Sequence, residues 1–580
     1  MSKILRVNMA SRNCLFEDVP ESLRVLGGRA LTSGMVADEV PPTCHPLGAN
    51  NKLVFAPGLL SGTEAPSSGR LSVGGKSPLT GTIKEANAGG LASQKIARLG
   101  LKAIVVEGQP KDDRFWLLRV NKDGASLLPA DDLVGKGMYQ VDRLLWKQFG
   151  RGVAVVGIGP AGEMRLTNAG ISVNDRENGP GRYAGRGGLG AVMGAKGIKA
   201  IVIDDLGGPG VQPADKRAFR EEIKKLSNSL LSHPVTGQAL PNYGTAVLIN
   251  IMNEAGGLPT RNFSSGRFEG AAKVSGEVIN ELATKVRKGR GKVAHPCHPG
   301  CVIKCSNVFP KPNGAYHVAC LEYESVWALG PNCGIDNIDQ IAELNRICND
   351  VGLDTIDAGA TIAVAMEGGL LSFGDGPGAI KLLKEVGKGT PLGRIIGNGT
   401  AFTAQAFGVT RVPVVKGQAM PAYDPRAVKG IGVTYATSTM GADHTSGYTI
   451  APEILGVGGK ADPFAVSKAE LSRNFQATTA YIDSTGYCLF IAFAILDDPK
   501  GFEGMYRSVN AMCGIDMTAD DVVAYGKRVI KTERSFNEAA GFTKAHDRLP
   551  EFMRLEPLPP HNTVFDVTDE ELDQVYAFEL

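Results

Sequence analysis

Three cysteines crowd into nine residues within His295-Pro296-Cys297-His298-Pro299-Gly300-Cys301-Val302-Ile303-Lys304-Cys305. A loop presenting three thiolates can wrap three corners of an iron–sulfur cube, leaving one remote residue to supply the fourth. Zinc is the competing occupant. His295 and His298 offer nitrogen ligands, although structural zinc sites usually set paired ligands in two knuckles. No export signal is expected, nor therefore a disulfide framework, and clustered thiols point to metal ligation. For the remote ligand, Cys488 stands out within Asp483-Ser484-Thr485-Gly486-Tyr487-Cys488. A second motif, Gly157-Ile158-Gly159-Pro160-Ala161-Gly162, has the spacing of a dinucleotide fingerprint. That fingerprint needs a helix opening inside it, so that its amino terminus meets a pyrophosphate. The residues that follow, Glu163 to Gly170, lack a helical period, and nucleotide binding is not expected.

Over essentially its whole length the sequence resembles the tungsten-dependent aldehyde:ferredoxin oxidoreductase family, which joins a CxxCxxxC segment to a carboxy-terminal DxxGLC motif. The resemblance implies that Cys297, Cys301, Cys305 and Cys488 ligate one 4Fe–4S cluster. The first spacing is one residue longer here, and Tyr487 replaces the usual Leu. The family's DxxGLD motif is matched by Asn349-Asp350-Val351-Gly352-Leu353-Asp354, with Asn in place of the first Asp. By resemblance Asp354 and Asp483 take equivalent places and hydrogen-bond the two pterins of a bis-pyranopterin tungsten or molybdenum cofactor. Asn349, Leu353, Thr355 and Tyr487 join them around it. A carboxylate suits this task because it accepts paired bonds from the amino and ring N–H groups of a pterin. Arg70, Asn87-Ala88-Gly89 and Arg182-Tyr183-Ala184-Gly185-Arg186-Gly187-Gly188-Leu189-Gly190 match further cofactor segments. They give Arg70, Asn87, Ala88, Gly89, Arg182, Tyr183, Gly185 and Arg186 as cofactor-binding residues. Phosphates need cations and closely approaching backbone N–H groups, which arginine and glycine supply. A magnesium ion bridging the two phosphates would take the backbone carbonyls of Asn87 and Tyr183.

The same resemblance sets Glu324 and His444 beside the metal as the catalytic pair. Aldehyde oxidation adds a water-derived oxygen to the carbonyl carbon and removes two electrons, so it needs a base and a hydrogen-bond donor near the oxygens. A glutamate in a pocket of low dielectric suits proton transfer. Cys320 and Cys333 flank Glu324. A direct thiolate to tungsten, as in dearomatising relatives, competes with the plainer reading of buried free thiols. The archetype's ExxH iron motif aligns with Glu343-Leu344-Asn345-Arg346. Arginine cannot ligate, so no bridging iron is expected. The implied activity is oxidation of a small-molecule aldehyde to a carboxylic acid. Electrons would leave to a ferredoxin or ferredoxin-like subunit, with a flavoprotein subunit as a further candidate partner. The runner-up is a reductase of the same cofactor class acting on aromatic thioesters or acids. A non-catalytic zinc or iron–sulfur scaffold leaves Arg70, Asp354 and Asp483 without a purpose.

Positioning these groups takes several domains, since 580 residues exceed what one hydrophobic core sustains. The 43% hydrophobic and 21% charged residues are ordinary for a folded chain. A formal net charge of +2 offers no attraction to nucleic acid or a membrane surface, and a cytoplasmic protein is expected. The 74 glycines fall between apolar runs rather than in repeats, as tight turns and close backbone approaches demand. Residues 1–206 read as β-rich, with runs such as Lys52–Phe55, Ala103–Val106 and Ala200–Ile203. The Gly-Pro stretch at 205–210 then breaks the pattern. Helical spacing follows at Ile338, Ile341, Leu344 and Ile347, closed by Gly352, and again over Thr361–Leu371 and Pro463–Thr479. No internal repeat is visible. The expected fold is α+β. A β-rich cofactor-wrapping domain (1–206) precedes two mainly helical domains, 207–411 with three cluster cysteines and 412–580 with the fourth.

Overall fold

The computed structural model describes residues 2–175 and 179–577; Met1, residues 176–178 and residues 578–580 lie outside the described set. The chain begins with two six-stranded sheets. The first is built from β1 (Lys3–Asn8), β2 (Asn13–Asp18), β3 (Leu53–Pro57), β4 (Leu71–Lys76), β5 (Ile83–Ala88) and β6 (Leu101–Glu107). The second uses β7 (Trp116–Asn121), β8 (Gly124–Pro129), β9 (Ala154–Gly157), β10 (Ile171–Asp175), β11 (Gly179–Ala184) and β12 (Ile198–Ile203).

Their spatial orders, β2-β1-β6-β3-β4-β5 and β8-β7-β12-β9-β10-β11, are the same topology written twice. In each sheet the first and sixth strands pair in parallel while all other neighbours are antiparallel. The intervening helices match as well. Gly28–Glu39 and Met138–Phe149 both have 12 residues, and Ala92–Arg98 and Leu189–Ala195 both have 7. This duplication corrects the expectation of no internal repeat. The repeat lives in the alternation of apolar positions, which many different side chains satisfy, so sequence identity between the halves is not needed to keep it.

The sheets face each other through a shared core that includes Leu53, Phe55, Leu71 and Val73 from one and Val156, Ile171, Val173 and Ile201 from the other. Each outer face is covered by its own 12-residue helix, with Leu31 and Met35 on the first sheet and Val141 and Leu145 on the second. From Lys216 onward the chain is mainly helical, so the β-first, helix-later architecture holds. One exception positions the cysteines. A three-stranded sheet of Lys292–His295, Ser306–Pro310 and Tyr316–Ala319 interrupts the helices, and Cys297, Cys301 and Cys305 lie on the connection between its first two strands. Helix Ile338–Val351 ends at Gly352 as expected. The other two helical stretches shift. One runs Thr355–Glu367, because the Asp354 side chain caps it six residues earlier than the apolar run begins. The other runs Ala469–Thr485 and ends at Gly486. Among the described residues no helix is long and apolar enough to cross a membrane.

Candidate active site

Two helix ends plug into the sandwich in the same way. Gly352 and Gly486, both at φ +88°, end helices Ile338–Val351 and Ala469–Thr485. Gly486 accepts a backbone bond from Arg70 at the entrance to β4, and Gly352 accepts one from Gly170 at the entrance to β10. The amide of Cys488 donates to Ser67 at 2.8 Å, and that of Asp354 to Asn168 at 3.2 Å. Glycines just past β3 and β9 allow the approach. A Cβ on Gly58 would sit 2.1 Å from the Gly486 Cα, and one on Gly159 would sit 2.2 Å from the Val351 carbonyl oxygen. Gly159 therefore explains part of the nucleotide-like motif. Its helix is a single turn, Pro160–Glu163, and the glycine serves backbone packing.

This geometry corrects one expectation. Counting from the helix-ending glycine, Asp483 is equivalent to Asn349, and Cys488 is equivalent to Asp354. Asp354 and Asp483 are not counterparts of each other.

Between the plugs lies a cavity of about 280 Å³. Arg70, Asn87, Tyr183, Gly185, Arg186, Asn349, Leu353, Asp354, Thr355, His444 and Asp483 all line it. Asn87 and Tyr183 hold equivalent ladder positions, opposite Ser72 and Ser172, on strands β5 and β11, which lie next to one another. The Tyr183 hydroxyl donates to the Asn349 carbonyl. Arg186 bonds Asp354 at 3.2 Å and the carbonyls of Ala442 and Ala419. Ala88, Gly89, Arg182 and Tyr487 stand back from the cavity. Tyr487 is buried with its hydroxyl on Ser508 at 2.9 Å, so its ring serves helix packing. Gly89 sits where a Cβ would lie 3.2 Å from the Arg70 guanidinium and 3.3 Å from the Cys297 sulfur, which places Arg70 between the cavity and the thiols. Arg182 bonds Ser306 at 3.0 Å and pairs with Asp175 at 3.8 Å through Nη2, leaving Nε without a hydrogen bond.

Cys297, His298 and Cys301 present ligand atoms within 4.8 Å of one another. The thiols of Cys305 and Cys488 are close enough to act on theirs electrostatically. Burial raises Cys305 and Cys488 above the usual thiol range, and Arg70 partly offsets this at Cys488.

Glu324 enters from helix Tyr323–Leu329 and does not itself line the cavity. It sits behind His444, which opens a short turn (His444–Ser446) capped by Asp443. Glu324 Oε1 lies 3.2 Å from His444 Nε2, while its Oε2 accepts the Ala422 amide at 3.0 Å. Burial pushes the Glu324 carboxyl up to about 8. Burial also lowers His444 to about 4, against the opposing charge of Asp443. At neutral pH the pair is a protonated carboxyl facing a neutral imidazole. Asp483 is likewise raised by burial, to about 8, with Glu85 adding and Arg29 and Arg70 opposing.

Sequence reasoning missed Arg29, Lys84 and Asp443. Arg29 is buried, bonded to Glu533 at 2.9 Å and 3.5 Å from Asp483. Lys84 reaches Asp443 at 3.5 Å. An arginine among the otherwise uncharged residues from Val25 to Ala37 was the available signal for Arg29. Among the missed residues, Asp443 is the neighbour of an expected one. Cys320 and Cys333 are both buried, with thiols on the Gly181 and Ala328 carbonyls; Cys320 also lines the cavity.

Four buried or partly buried cations (Arg29, Arg70, Lys84 and Arg186) surround one cavity together with carboxylates and the orphaned polar atoms Arg70 Nε and Asn349 Nδ2. Buried polar atoms without partners in a roomy polar cavity fit a large ligand bearing both anionic and N–H groups. The arrangement offers a cation-lined seat for an anionic ligand between duplicated sheets. The chain belongs to the aldehyde ferredoxin oxidoreductase family. Residues 4–205 match the model of that family's N-terminal domain, and residues 221–579 match that of its domains 2 and 3. It is 38% identical to the tungsten-containing aldehyde ferredoxin oxidoreductases of Pyrococcus furiosus and Thermococcus kodakarensis, over 96% of this chain and 92% of each relative. The aliphatic sulfonate oxidoreductase WOR-like subunit of Pyrococcus furiosus is 25% identical over 94% of this chain and 87% of its own. In fold, the active-site complex of benzoyl coenzyme A reductase with 1,5-dienoyl-CoA superposes with a TM-score of 0.80 at 19% identity, covering 99% of this chain and 93% of that one.

Proposed function

We propose that this protein oxidises aldehydes to carboxylic acids at a bis-pyranopterin tungsten or molybdenum centre seated in the cavity between the sheets. The observation that carries this reading is the buried Glu324–His444 pair at the wall of a cation-lined cavity whose other side, through Arg70, adjoins four cysteines. The overall change is RCHO + H2O → RCOOH + 2 H+ + 2 electrons. The bound metal centre would supply the two-electron acceptor. The chain's own groups handle the rest. His444, neutral, orients a substrate oxygen by hydrogen bonding, and Glu324 behind it, in the ionised form that prevails above about pH 8, takes up the proton released from water or the hydrated aldehyde. Arg70, Arg29, Lys84 and Arg186 balance the cofactor's phosphates. Asp483 and Asp354 would accept pterin N–H groups. The carbonyls of Asn87 and Tyr183, on equivalent strands, would hold a magnesium ion.

Cys297, Cys301, Cys305 and Cys488 would hold one 4Fe–4S cluster. From it electrons pass to a ferredoxin-like carrier or a flavoprotein-linked subunit, in a cytoplasm where thiols stay reduced. The division into a cofactor-wrapping domain to residue 206 and helical domains meeting near 411 belongs to the same reading. Elemental analysis of the purified protein is expected to find about one tungsten or molybdenum and four irons per chain. Zinc in their place would overturn the proposal. An aldehyde panel read with a viologen dye separates oxidation from thioester reduction by the same cofactor class.

A further inference from the structure

Beside the site cavity lies a second chamber of about 180 Å³, walled by Tyr448, Phe475, Phe490, Phe493, Phe502 and Ile482, among others. Leu489 lines both chambers, so they adjoin at that residue. The rings form a continuous series that starts at the catalytic pair. His444 meets Tyr448 edge-on at 6.2 Å, Tyr448 meets Phe493 edge-on at 6.0 Å, and Phe493 stacks on Phe490 at 5.8 Å. The Tyr448 hydroxyl is already bonded to Tyr423 at 2.8 Å, so that ring presents an apolar edge. At the opposite end Asn474 is exposed and Leu496 is 37% exposed, which opens the chamber toward solvent.

We propose that this chamber receives the side chain of the substrate and selects aldehydes bearing a phenyl ring over short aliphatic ones. The inference rests on the aldehyde-oxidising reading above and adds the substrate class. Size and chemistry both argue for an aryl group. An apolar protein cavity of about 150 Å³ is enough to hold benzene. Rings at these separations and tilts reward a further ring placed edge-on or offset, beyond what its buried area contributes. A methyl group in the same chamber would leave most of the wall without partner atoms. With the aldehyde carbon at His444, a ring packed in the chamber against Tyr448, whose centroid lies 6.2 Å from that of the imidazole, suits a spacer of one or two carbons.

The test uses the metal-loaded enzyme with acetaldehyde, hexanal, benzaldehyde, phenylacetaldehyde and 3-phenylpropanal. The best phenyl substrate is expected to exceed acetaldehyde in kcat/KM by roughly a hundredfold, mainly through KM. Phe493→Leu, which keeps the site apolar and nearly filled, should lower that ratio about tenfold by raising KM for the phenyl substrate. Acetaldehyde matching the phenyl aldehydes, hexanal exceeding them, or an unchanged ratio in Phe493→Leu would each overturn the inference and leave aldehyde oxidation standing. If no aldehyde is oxidised by fully loaded enzyme, the parent reading fails instead. Calorimetric titration with phenylacetate and acetate then still decides the chamber's preference: tighter phenylacetate binding, weakened in Phe493→Leu, supports it, and equal binding overturns it.

Discussion

The two halves of the sandwich share strand order, helix lengths and the glycine contact that docks a helix end, yet they differ two residues beyond that contact. The first half receives Cys488, whose thiol joins the cysteine loop; the second receives Asp354, which caps helix Thr355–Glu367 and pairs with Arg186. A duplicated scaffold thus delivers a thiol to one side and a carboxylate to the other through nearly identical backbones. Three residues before each glycine the contrast is milder. Asp483 stands opposite Arg29 and Arg70, while Asn349 spends its carbonyl on Tyr183. The lesson is that backbone symmetry fixes where a side chain arrives, and a single residue type decides what chemistry arrives there.

Exchanging that residue should have the largest effect. Cys488→Ser is expected to lose cluster iron and nearly all turnover while retaining pterin, because a hydroxyl replaces thiolate poorly on iron. Asp354→Ala should do the reverse, keeping four irons and losing pterin; iron and pterin assays on both variants would break the comparison if the losses coincided. The groups shared by both halves come next. Glu324→Gln should cut turnover by about a hundredfold or more with metals intact. In the wild type the carboxylate is the active base, so kcat/KM should rise with pH through about 8 and fall below it, and the variant should lack that rise.

The docking glycines follow. Gly58→Ala and Gly159→Ala should each destabilise by about 1–3 kcal/mol or more, since a Cβ meets backbone rather than a movable side chain. Similar losses in thermal unfolding would support equivalence of the halves. The smallest effect is at the asymmetric acid. Asp483 has its folded pKa raised to about 8 against an ordinary value of 3.8. Its contribution to stability is therefore fully present below 3.8 and is lost as pH rises toward 8. Cofactor-free Asp483→Asn should gain on the wild type between pH 5 and 8, whereas Asn349→Asp should lose; matching slopes in the two variants would contradict the contrast.

By itself the sequence determined what depends on local residue type and spacing. The spacing of Cys297, Cys301 and Cys305 set three thiols on one connection, apolar runs at residues 53–55, 103–106 and 200–203 announced strands, and Gly352 announced the end of its helix. Helix starts were less legible, because a cap such as Asp354 acts before the apolar period begins. Only the tertiary structure decided the rest. The duplication is carried by burial pattern and topology, which distinct sequences can share, so it left no visible repeat. Arg29 reaches Glu533 and Asp483 across more than 450 residues, a proximity that no local spacing encodes. The same holds for Glu324 and His444. Their residue types suggested chemistry, but their protonation states follow from burial and from the nearby charges of Asp443 and Arg186, and both are properties of the folded molecule alone.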